Sequence, residues 1–445
     1  MPKNKIAQVV VDLPVDGPFD YEVPERLADS VSVGHRVLVS FQTKTLIGYI
    51  VGFKEKSAFH RLKPISSVLD KNPALPPAML ELAKEFSQHY CCSLGHAIAA
   101  FLPVGFKKLK KEIIFSAFQE NEKQTTPSET LLLHDFLFKH FWPILIERIQ
   151  NTVAQGLGVI ILVPETYRIA SVVQELKTRG MSAPITIFDK KLKDKEQIEN
   201  WALIKEGKAK IVVGTRSAIF APVVSLSLIV MMDESNFSYK QDQSPFYHAR
   251  QVAMMRAKNE NASLVFVTRS FSVDLYNLLK KKKITFVDAA NGEKPCAVQV
   301  VDLSNYKYGK AKVISIPLQY AMEKVLSQNG KILLVMNKKG FGSFGACSKC
   351  HHVLKCPHCD IPLTFLYEQK KVVCRHCSYQ APCPSVCPQC QGAYINFTGM
   401  GIEKLESEAS RLFPKAKVVC YAKESSTLPS GFDILIATQA VIRFD

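Results

Sequence analysis

Four C-x-x-C pairs lie between Cys347 and Cys390: Cys347/Cys350, Cys356/Cys359, Cys374/Cys377 and Cys387/Cys390. A C-x-x-C knuckle turns two thiolates toward one metal ion. Eight thiolates fill two tetrahedral Zn²⁺ sites and leave no coordination position for water, so the ions expected here are structural rather than catalytic. They stand in for a hydrophobic core that so short a segment cannot build for itself. A disulfide framework is the alternative. Against it, no secretory pattern opens the sequence and the spacing suits metal. Cys383, in a P-C-P triplet among the eight, is expected to be a spectator. Cys91, Cys92, Cys296 and Cys420 show no framework, which fits a reducing, cytoplasmic compartment.

A chain of 445 residues has room for roughly two to four domains. Lys and Arg number 57 against 40 Asp and Glu, a formal charge of +17. That excess favours an anionic partner, nucleic acid before others, over the plainer reading of a generally basic soluble protein. No apolar run is long enough to span a bilayer, so no membrane partner is expected.

Residues 1–105 read as a small β-rich domain with a helical end. Ala7 to Leu13, Arg36 to Phe41 and Leu46 to Phe53 are strand-like runs, with Gly34 and Gly48 as breaks. Pro77 to Tyr90 has helical spacing, with Leu80, Leu82, Ala83 and Phe86 as its apolar face. Residues 106–128 read as a linker, a basic cluster (Lys107, Lys108, Lys110, Lys111) followed by a polar stretch. Residues 129–285 set an amphipathic helix, Ile144 to Val153, beside apolar strands at Val159–Val163, Ile211–Val213 and Leu228–Met232, the pattern of a parallel α/β sheet. Further strands are read at Val298–Asp302, Lys331–Met336 and Ile434–Ile436, in residues 286–345 and 393–445, which flank the cysteine segment at 346–392. The loop from Ser238 to Arg250 interleaves Tyr239, Phe246 and Tyr247 with Lys240, His248 and Arg250. Such a composition suits stacking of bases and holding of phosphate; packing of the same aromatics against the domain is the alternative.

The cassette C-S-K-C, C-P-H-C-D, C-R-H-C, C-P-Q-C, followed by F-T-G-M-G-I-E, resembles the PriA (primosomal protein N′) family of replication-restart DNA helicases. The N-terminal V-V-V-D-L-P-V-D-G-P-F-D-Y-E-V-P, Leu162–Glu165, Gly214–Pro222, the Ser238–Arg250 loop, Asn337–Phe341, Gly399, Gly401, Glu403 and Thr438-Gln439 carry the same resemblance. It implies an α/β fold with a small β-rich N-terminal domain that binds DNA ends, then two RecA-like helicase lobes with a two-zinc module of eight cysteines inserted in the second. It implies that Cys347, Cys350, Cys387 and Cys390 hold one zinc and Cys356, Cys359, Cys374 and Cys377 the other. It implies that Phe19, Asp20 and Lys63 line a pocket for a 3′ end. There an aromatic face stacks on the terminal base, a carboxylate accepts from the 3′-OH and a lysine holds phosphate. Gln42 stands where the family has a glycine that allows close backbone approach. The implied partners are branched or forked DNA with a 3′ end, and further primosome proteins or single-stranded DNA-binding protein. By this correspondence a winged-helix domain is missing at 106–128, and the second lobe is expected to be incomplete, stopping at Asp445 before the arginine-finger motif.

The resemblance fails at the nucleotide. The family's phosphate loop, G-x-x-G-x-G-K-T, should follow Leu131-Leu132-Leu133-His134, but Asp135 to Ile144 reads D-F-L-F-K-H-F-W-P-I. Phe141 and Trp142 stand where Lys and Thr should be, and no glycine remains. Such a loop works because glycines let backbone N–H groups curl round phosphate, Lys neutralises charge and Ser/Thr holds Mg²⁺. Asp233 and Glu234, a vestigial Walker B pair, are followed by Ser235-Asn236 where the family has Glu-His, and Val267-Thr268-Arg269-Ser270 replaces its S-A-T motif. A working site for ATP and Mg²⁺ is thus poorly supported, and no catalytic residue is assigned. The expected function is that of a PriA-like DNA-binding protein of replication restart and primosome assembly, recognising forks or 3′ ends without turning over ATP. Two alternatives stay open: an ATP-dependent 3′-to-5′ helicase with an unusual phosphate site, and a protein-interaction scaffold built on the zinc module.

Overall fold

The computed structural model describes residues 5–108, 128–289, 297–302, 314–336, 344–347, 349–366, 370–393, 395–398, 402–421, 428–438 and 441. The chain divides into two units, residues 1–295 and 296–445. In the first, β1 (Ile6–Val11), β2 (Phe19–Glu22), β3 (Arg36–Phe41), β4 (Lys44–Lys54) and β5 (Lys63–Val68) close into a barrel in the order β1-β2-β5-β3-β4. Alternate residues of these strands, among them Ala7, Val9, Val11, Val37, Val39 and Ile65, fill its interior, as the two-residue side-chain period of a strand requires. Gly48 is not the break suggested by the sequence. It lies inside β4, where a Cβ would come within 2.4 Å of Val9 Cγ1, so the missing side chain lets β1 and β4 pack together. Gly34 does occupy a turn, at φ 92.

Helices α1 (Pro77–His89), α2 (Leu94–Phe101) and α3 (Val104–Lys108) follow the barrel. Spacing of three and four residues turns Met79, Leu80, Leu82, Ala83 and Phe86 of α1 inward. A buried ion pair ties barrel to helices. Arg36 Nη2 meets Asp70 Oδ1 at 2.6 Å with both side chains 0% exposed, and Arg36 Nη1 donates to the Phe106 carbonyl at 2.8 Å.

The same unit continues through β6 (Thr130–His134), α4 (Trp142–Ala154), β7 (Gly158–Leu162), α5 (Tyr167–Thr178), β8 (Ile185–Phe188), α6 (Asp194–Lys205), β9 (Ile211–Gly214), β10 (Leu226–Met232), α7 (Ala249–Glu260), β11 (Ser263–Thr268), α8 (Val273–Lys280) and β12 (Thr285–Asp288). The strands form one parallel sheet in the order β12-β6-β11-β10-β7-β9-β8. Every residue of β7 and β9 is buried, as expected of parallel strands covered on both faces. Successive residues serve opposite cores. Leu132, Ile160, Leu162, Ile229 and Met231 pack with Phe86 and Phe101 of α1 and α2, and Leu131, Leu133, Ile161 and Val230 pack with Leu145 and Val172 of α4 and α5. One face of the sheet is therefore covered by the helical end of the N-terminal region. The parallel strands bring the residues after β6, β10 and β11 to one edge of the sheet, where α/β folds carry their sites.

In the second unit, α9 (Ile316–Ser327) and β13 (Ile332–Val335) precede the cysteine segment. That segment holds β14 (Phe344–Cys347), β15 (Thr364–Leu366), β16 (Lys371–Val373), β17 (Gln380–Pro382) and β18 (Ile395–Thr398). It is entered and left through the antiparallel β14–β18 pair, with β15-β16-β17 as an inner sheet. Then α10 (Ile402–Leu412), β19 (Val418–Tyr421) and β20 (Ile434–Ala437) follow. The parallel sheet β13-β20-β19 packs Leu334, Ile434 and Ile436 against Met322 of α9 and Leu405 and Ala409 of α10. The strand expected at Val298–Asp302 is not formed among the described residues. Lys110, Lys111, the polar stretch of the linker, Asn337–Phe341, Gly399, Gly401 and Gln439 lie outside the described residues, as does the side chain of Glu403. No helix among the described residues is long and apolar enough to cross a membrane. The fold is α/β: a small β-rich N-terminal barrel, a seven-stranded parallel sheet flanked by helices, and a three-stranded parallel sheet with the cysteine segment inserted between its strands.

Candidate functional site

The barrel gathers three of the expected residues around one cavity of about 450 Å³, lined by Phe19, Asp20, Gln42, Lys54, Phe59, Arg61 and Lys63 among others. Phe19 and Asp20 open β2, Lys63 opens β5, and Gln42 sits in the turn between β3 and β4. The Phe19 ring stands edge-on to Phe41, with centroids 5.0 Å apart. The Asp20 carboxylate accepts from Lys54 Nζ and from Ser57 Oγ, each at 2.5 Å. Burial pushes its pKa up, but the bonds from Lys54 and Ser57 outweigh this and hold it below the ordinary value. Gln42 adopts φ 51, the left-handed region that favours glycine. Its carbonyl accepts from Lys63 Nζ at 3.1 Å. The glycine conformation of the turn is thus kept without the glycine. Lys54, Ser57, Phe59 and Arg61 were not singled out from the sequence. Lys54 ends a strand whose alternation could have placed it, whereas the loop residues carry no such signal.

The cysteines form two separate sets, Cys347, Cys350, Cys387 and Cys390, and Cys356, Cys359, Cys374 and Cys377; within each, the sulfurs lie within 4.8 Å of one another. Four knuckles repeat one backbone geometry. The fifth residue of each, His351, Asp360, Ser378 and Gln391, takes a φ of 55 to 61. Its N–H bonds back to the carbonyl of the first cysteine at 2.9, 2.9, 3.0 and 2.9 Å. Sulfur separations of 3.6 Å for Cys347–Cys390 and Cys350–Cys387, and 3.5 Å for Cys356–Cys377, are close to the ~3.8 Å edge of a tetrahedron with metal–sulfur bonds of about 2.3 Å. A disulfide needs about 2.05 Å. The residues fit Zn²⁺, whose role there is to hold the strands together. Cys383 belongs to neither set. His376 Nδ1 lies 3.4 Å from Cys359 Sγ, a contact the spacing did not suggest.

The loop between β6 and α4 is closed around an aspartate. Asp135 is fully buried. Its Oδ1 accepts the N–H of Leu137 at 3.1 Å and of Phe138 at 3.0 Å, and its Oδ2 accepts those of His140 at 2.5 Å and Phe141 at 3.0 Å. Burial raises its pKa, but the N–H groups of Phe141 and His140 and the His140 side chain bring it below the ordinary value. Phe138 takes φ 59, the left-handed region that favours glycine. Phe141 and Trp142 are both in the core, stacked with centroids 4.8 Å apart.

Two family models match the chain. Residues 8–103 match the 3'DNA-binding domain of PriA, and residues 356–382 match the Cys-rich region domain of the PriA DNA helicase. Replication restart protein PriA of Treponema pallidum is 27% identical over 479 residues, covering 98% of this chain and 71% of that one. The protein of the same name from Rickettsia felis is 26% identical over 469 residues, covering 99% and 72%. That from Bacillus subtilis is 29% identical over 331 residues, covering 71% and 41%. The chain is thus similar to the PriA family along nearly its whole length. Its barrel is the region matched as the family's 3'DNA-binding domain, and the inner cysteine set lies in the matched PriA cysteine-rich region.

A PriA helicase implies ATP and Mg²⁺, and the residues at the sheet edge do not fit them. The N–H groups that would cradle phosphate are taken by Asp135, and Phe141 and Trp142 fill the core where a lysine and a hydroxyl would be needed. Glu234 is fully buried and paired with Arg250, and its Oε1 also accepts from Ser272 Oγ at 2.7 Å. Arg250 in turn pairs with Asp274. Asp233 Oδ2 accepts from Asn236 Nδ2 at 3.1 Å.

The aromatic loop differs from its sequence reading. Tyr239 and Tyr247 offer no face to a base, being 0% and 2% exposed. Tyr239 Oη lies 3.0 Å from the Leu162 carbonyl and 2.5 Å from that of Met232, and the Tyr247 ring packs against Phe86 and Phe220. Lys240 Nζ donates to the Phe246 carbonyl at 2.5 Å, so it holds the loop closed, and Arg250 is engaged by the two carboxylates. The exposed aromatics are instead Phe237 and Phe246. Polarity alone could not tell these apart, because tyrosine is amphipathic and buries its ring when a carbonyl meets its hydroxyl.

Proposed function

We propose that this chain is a replication-restart DNA-binding protein that captures the 3′ end of a strand, at a fork or branch, in the barrel cavity, and that it does so without ATP turnover. The observation that carries the reading is the convergence of an aromatic face (Phe19), a carboxylate (Asp20) and the cations Lys54, Arg61 and Lys63 on one cavity. A terminal base stacks on an aromatic ring, and lysine and arginine neutralise the last phosphates. Asp20 already accepts a hydroxyl, that of Ser57, and a deoxyribose 3′-OH is a donor of the same kind. A 3′-phosphate would bring a second negative charge against Asp20 and lose. The zinc module exposes Lys349, Lys355, Lys370, Lys371 and Arg375; this surface suits an anionic partner, either DNA or an acidic segment of a primosome or single-stranded DNA-binding protein. The setting for all of this is the cytoplasm.

The test is binding of the zinc-loaded chain to a fork with a free 3′-OH at the branch. The same fork bearing a 3′-phosphate is compared, and ATP hydrolysis is followed in the same tubes. Preference for the 3′-OH, falling steeply with salt, and no DNA-stimulated hydrolysis is the expected result. Equal binding of both forks removes the end-capture reading. DNA-stimulated hydrolysis restores the helicase.

A further inference from the structure

The misfit at the nucleotide loop has a positive content. We infer that Asp135 is a built-in occupant of this loop, its carboxylate taking the place of a bound phosphate, so that the first lobe is completed by its own charge and neither requires nor admits a nucleotide. The inference deepens the ATP clause of the proposed function and is independent of its DNA clause.

The geometry supports this in three ways. First, the number and direction of the bonds are those of an anion in a backbone nest. Two N–H groups meet each carboxylate oxygen, from Leu137, Phe138, His140 and Phe141, and the last of these is the N-cap residue of α4, so the carboxylate lies at the positive end of that helix. Second, the loop makes a left-handed turn without a glycine. Phe138 accepts φ 59, a conformation unfavourable for a bulky side chain unless the surroundings impose it, and the Asp135 carboxylate bonded to its N–H is such a constraint. Third, the Walker B glutamate is engaged as well. Buried Glu234, which would act on water in a working site, pairs instead with Arg250. An internal anion thus fills the loop, and the glutamate that would serve hydrolysis is held by an internal cation. His140 Nδ1 lies 3.3 Å from Asp135 Oδ1, and the guanidinium carbon of Arg269 lies 4.9 Å from the Phe138 ring centroid. They would favour an anion there once the carboxylate was removed.

The experiment compares the full chain with Asp135→Ala and Asp135→Asn by thermal unfolding, followed by tryptophan fluorescence, in chloride and in inorganic pyrophosphate at matched ionic strength. Both tryptophans, Trp142 and Trp201, lie in the first unit. Any gain of the unmodified chain in pyrophosphate, from the cations of the barrel cavity or from the salt itself, is the baseline that Asp135→Ala should exceed. Asp135→Ala should melt lower by roughly 5–10 °C and recover part of that loss in pyrophosphate. Asp135→Asn, which keeps one acceptor oxygen, should fall between. Should Asp135→Ala fail to fold, hydrogen exchange of the 137–141 amides in the unmodified chain decides, with slow exchange that ATP and Mg²⁺ leave unchanged as the expected result. Added protection by ATP and Mg²⁺, equal stabilisation of the two proteins by pyrophosphate, or an Asp135→Ala variant that melts like the unmodified chain would overturn the inference. Loss of 3′-end discrimination in the fork assay would sink the DNA reading and leave this one standing.

Discussion

The N–H of Phe141 donates to Asp135 Oδ2 at 3.0 Å while the ring of the same residue is wholly buried against Trp142 and Phe138. One residue thus serves both the closed loop and the core. Phe141→Ala is expected to cost about 3–5 kcal/mol, as for other buried aromatics. Phe141→Lys, which reinstates the family's residue type, should cost at least as much, because an unpaired charge enters the core, and it should yield no ATP hydrolysis. Denaturant midpoints read by tryptophan fluorescence, with a phosphate-release assay, check both. Hydrolysis gained by this one substitution would mean the loop backbone is intact for phosphate.

In the barrel cavity, Gln42 at φ 51 invites the reverse change. Left-handed backbone costs a non-glycine residue roughly 1–2 kcal/mol, and glycine gives back part of this through the freer unfolded chain. Gln42→Gly should therefore stabilise the first unit by about 0.5–1 kcal/mol in urea unfolding. Lys63 should keep its anchor, since it bonds the backbone carbonyl rather than the Gln42 side chain. Asp20→Asn, which removes the carboxylate charge from Lys54, should lower the stability of the first unit and lower the preference for 3′-OH over 3′-phosphate by roughly tenfold or more, the worth of one charge-assisted hydrogen bond. An unchanged preference would remove Asp20 from end recognition.

These residues also show where sequence reading stops. The cysteines were legible because metal ligation is encoded in local spacing, and the two sets match the nesting that the family resemblance implied. The parallel sheet was legible because strands buried on both faces read as unbroken apolar runs, as in Val159–Leu162. Closure of the barrel was not: it needs β2 and β5 to pair in parallel across forty residues of chain, a non-local choice no window reveals. The loss of the phosphate loop could be read, but not what replaced it. An aspartate two and three residues ahead of loop amides is a known Asx-turn spacing, and Asp135 could have been flagged on that ground. Tyr239 and Tyr247 were misplaced because the same rings suit a base or a core, and burial depends on α1, contributed from far away in sequence.

His248 gives the fold a pH dependence. Its Nδ1 accepts the N–H of Arg250 at 3.2 Å and so caps α7. This requires the neutral ring. Burial first, then the charges of Arg250 and Lys240, lower its pKa from the ordinary 6.5 to about 4. A folded-state pKa below the unfolded one means that the contribution is complete above about pH 6.5 and is lost as pH falls toward 4. His35, also buried with a lowered pKa, acts in the same direction. Between pH 7 and 4 the urea midpoint should fall, and His248→Asn, which retains a capping acceptor, should flatten its own share of that fall. Asp135, held below 3.8, loses its carboxylate only under more acid conditions. A variant whose pH profile matched the parent's would show that the cap is not made by the neutral imidazole.

The two cysteine sets should behave as separate sites with one shared consequence. Each joins distant knuckles, Cys347/Cys350 to Cys387/Cys390 and Cys356/Cys359 to Cys374/Cys377, so the outer set closes the base of the module, beside the β14–β18 pair, and the inner set organises β15, β16 and β17. The apolar residues between them, Leu354, Leu363 and Val372, are too few to hold such a segment without metal. Cys374→Ser should thus lose one of the two zinc ions and loosen the inner sheet, Cys387→Ser should lose the other and free the base, and Cys383→Ser should keep both. Zinc content by atomic emission, with limited proteolysis of the module, distinguishes these. A strong chelator should expose residues 346–392 to protease while leaving the tryptophan-reported unfolding of the first unit unchanged, because metal-dependent folding is confined to the segment the metal builds. A Cys383→Ser protein with reduced zinc would show that the ninth cysteine of the cassette is a ligand after all and that the assignment of the sets must be redrawn.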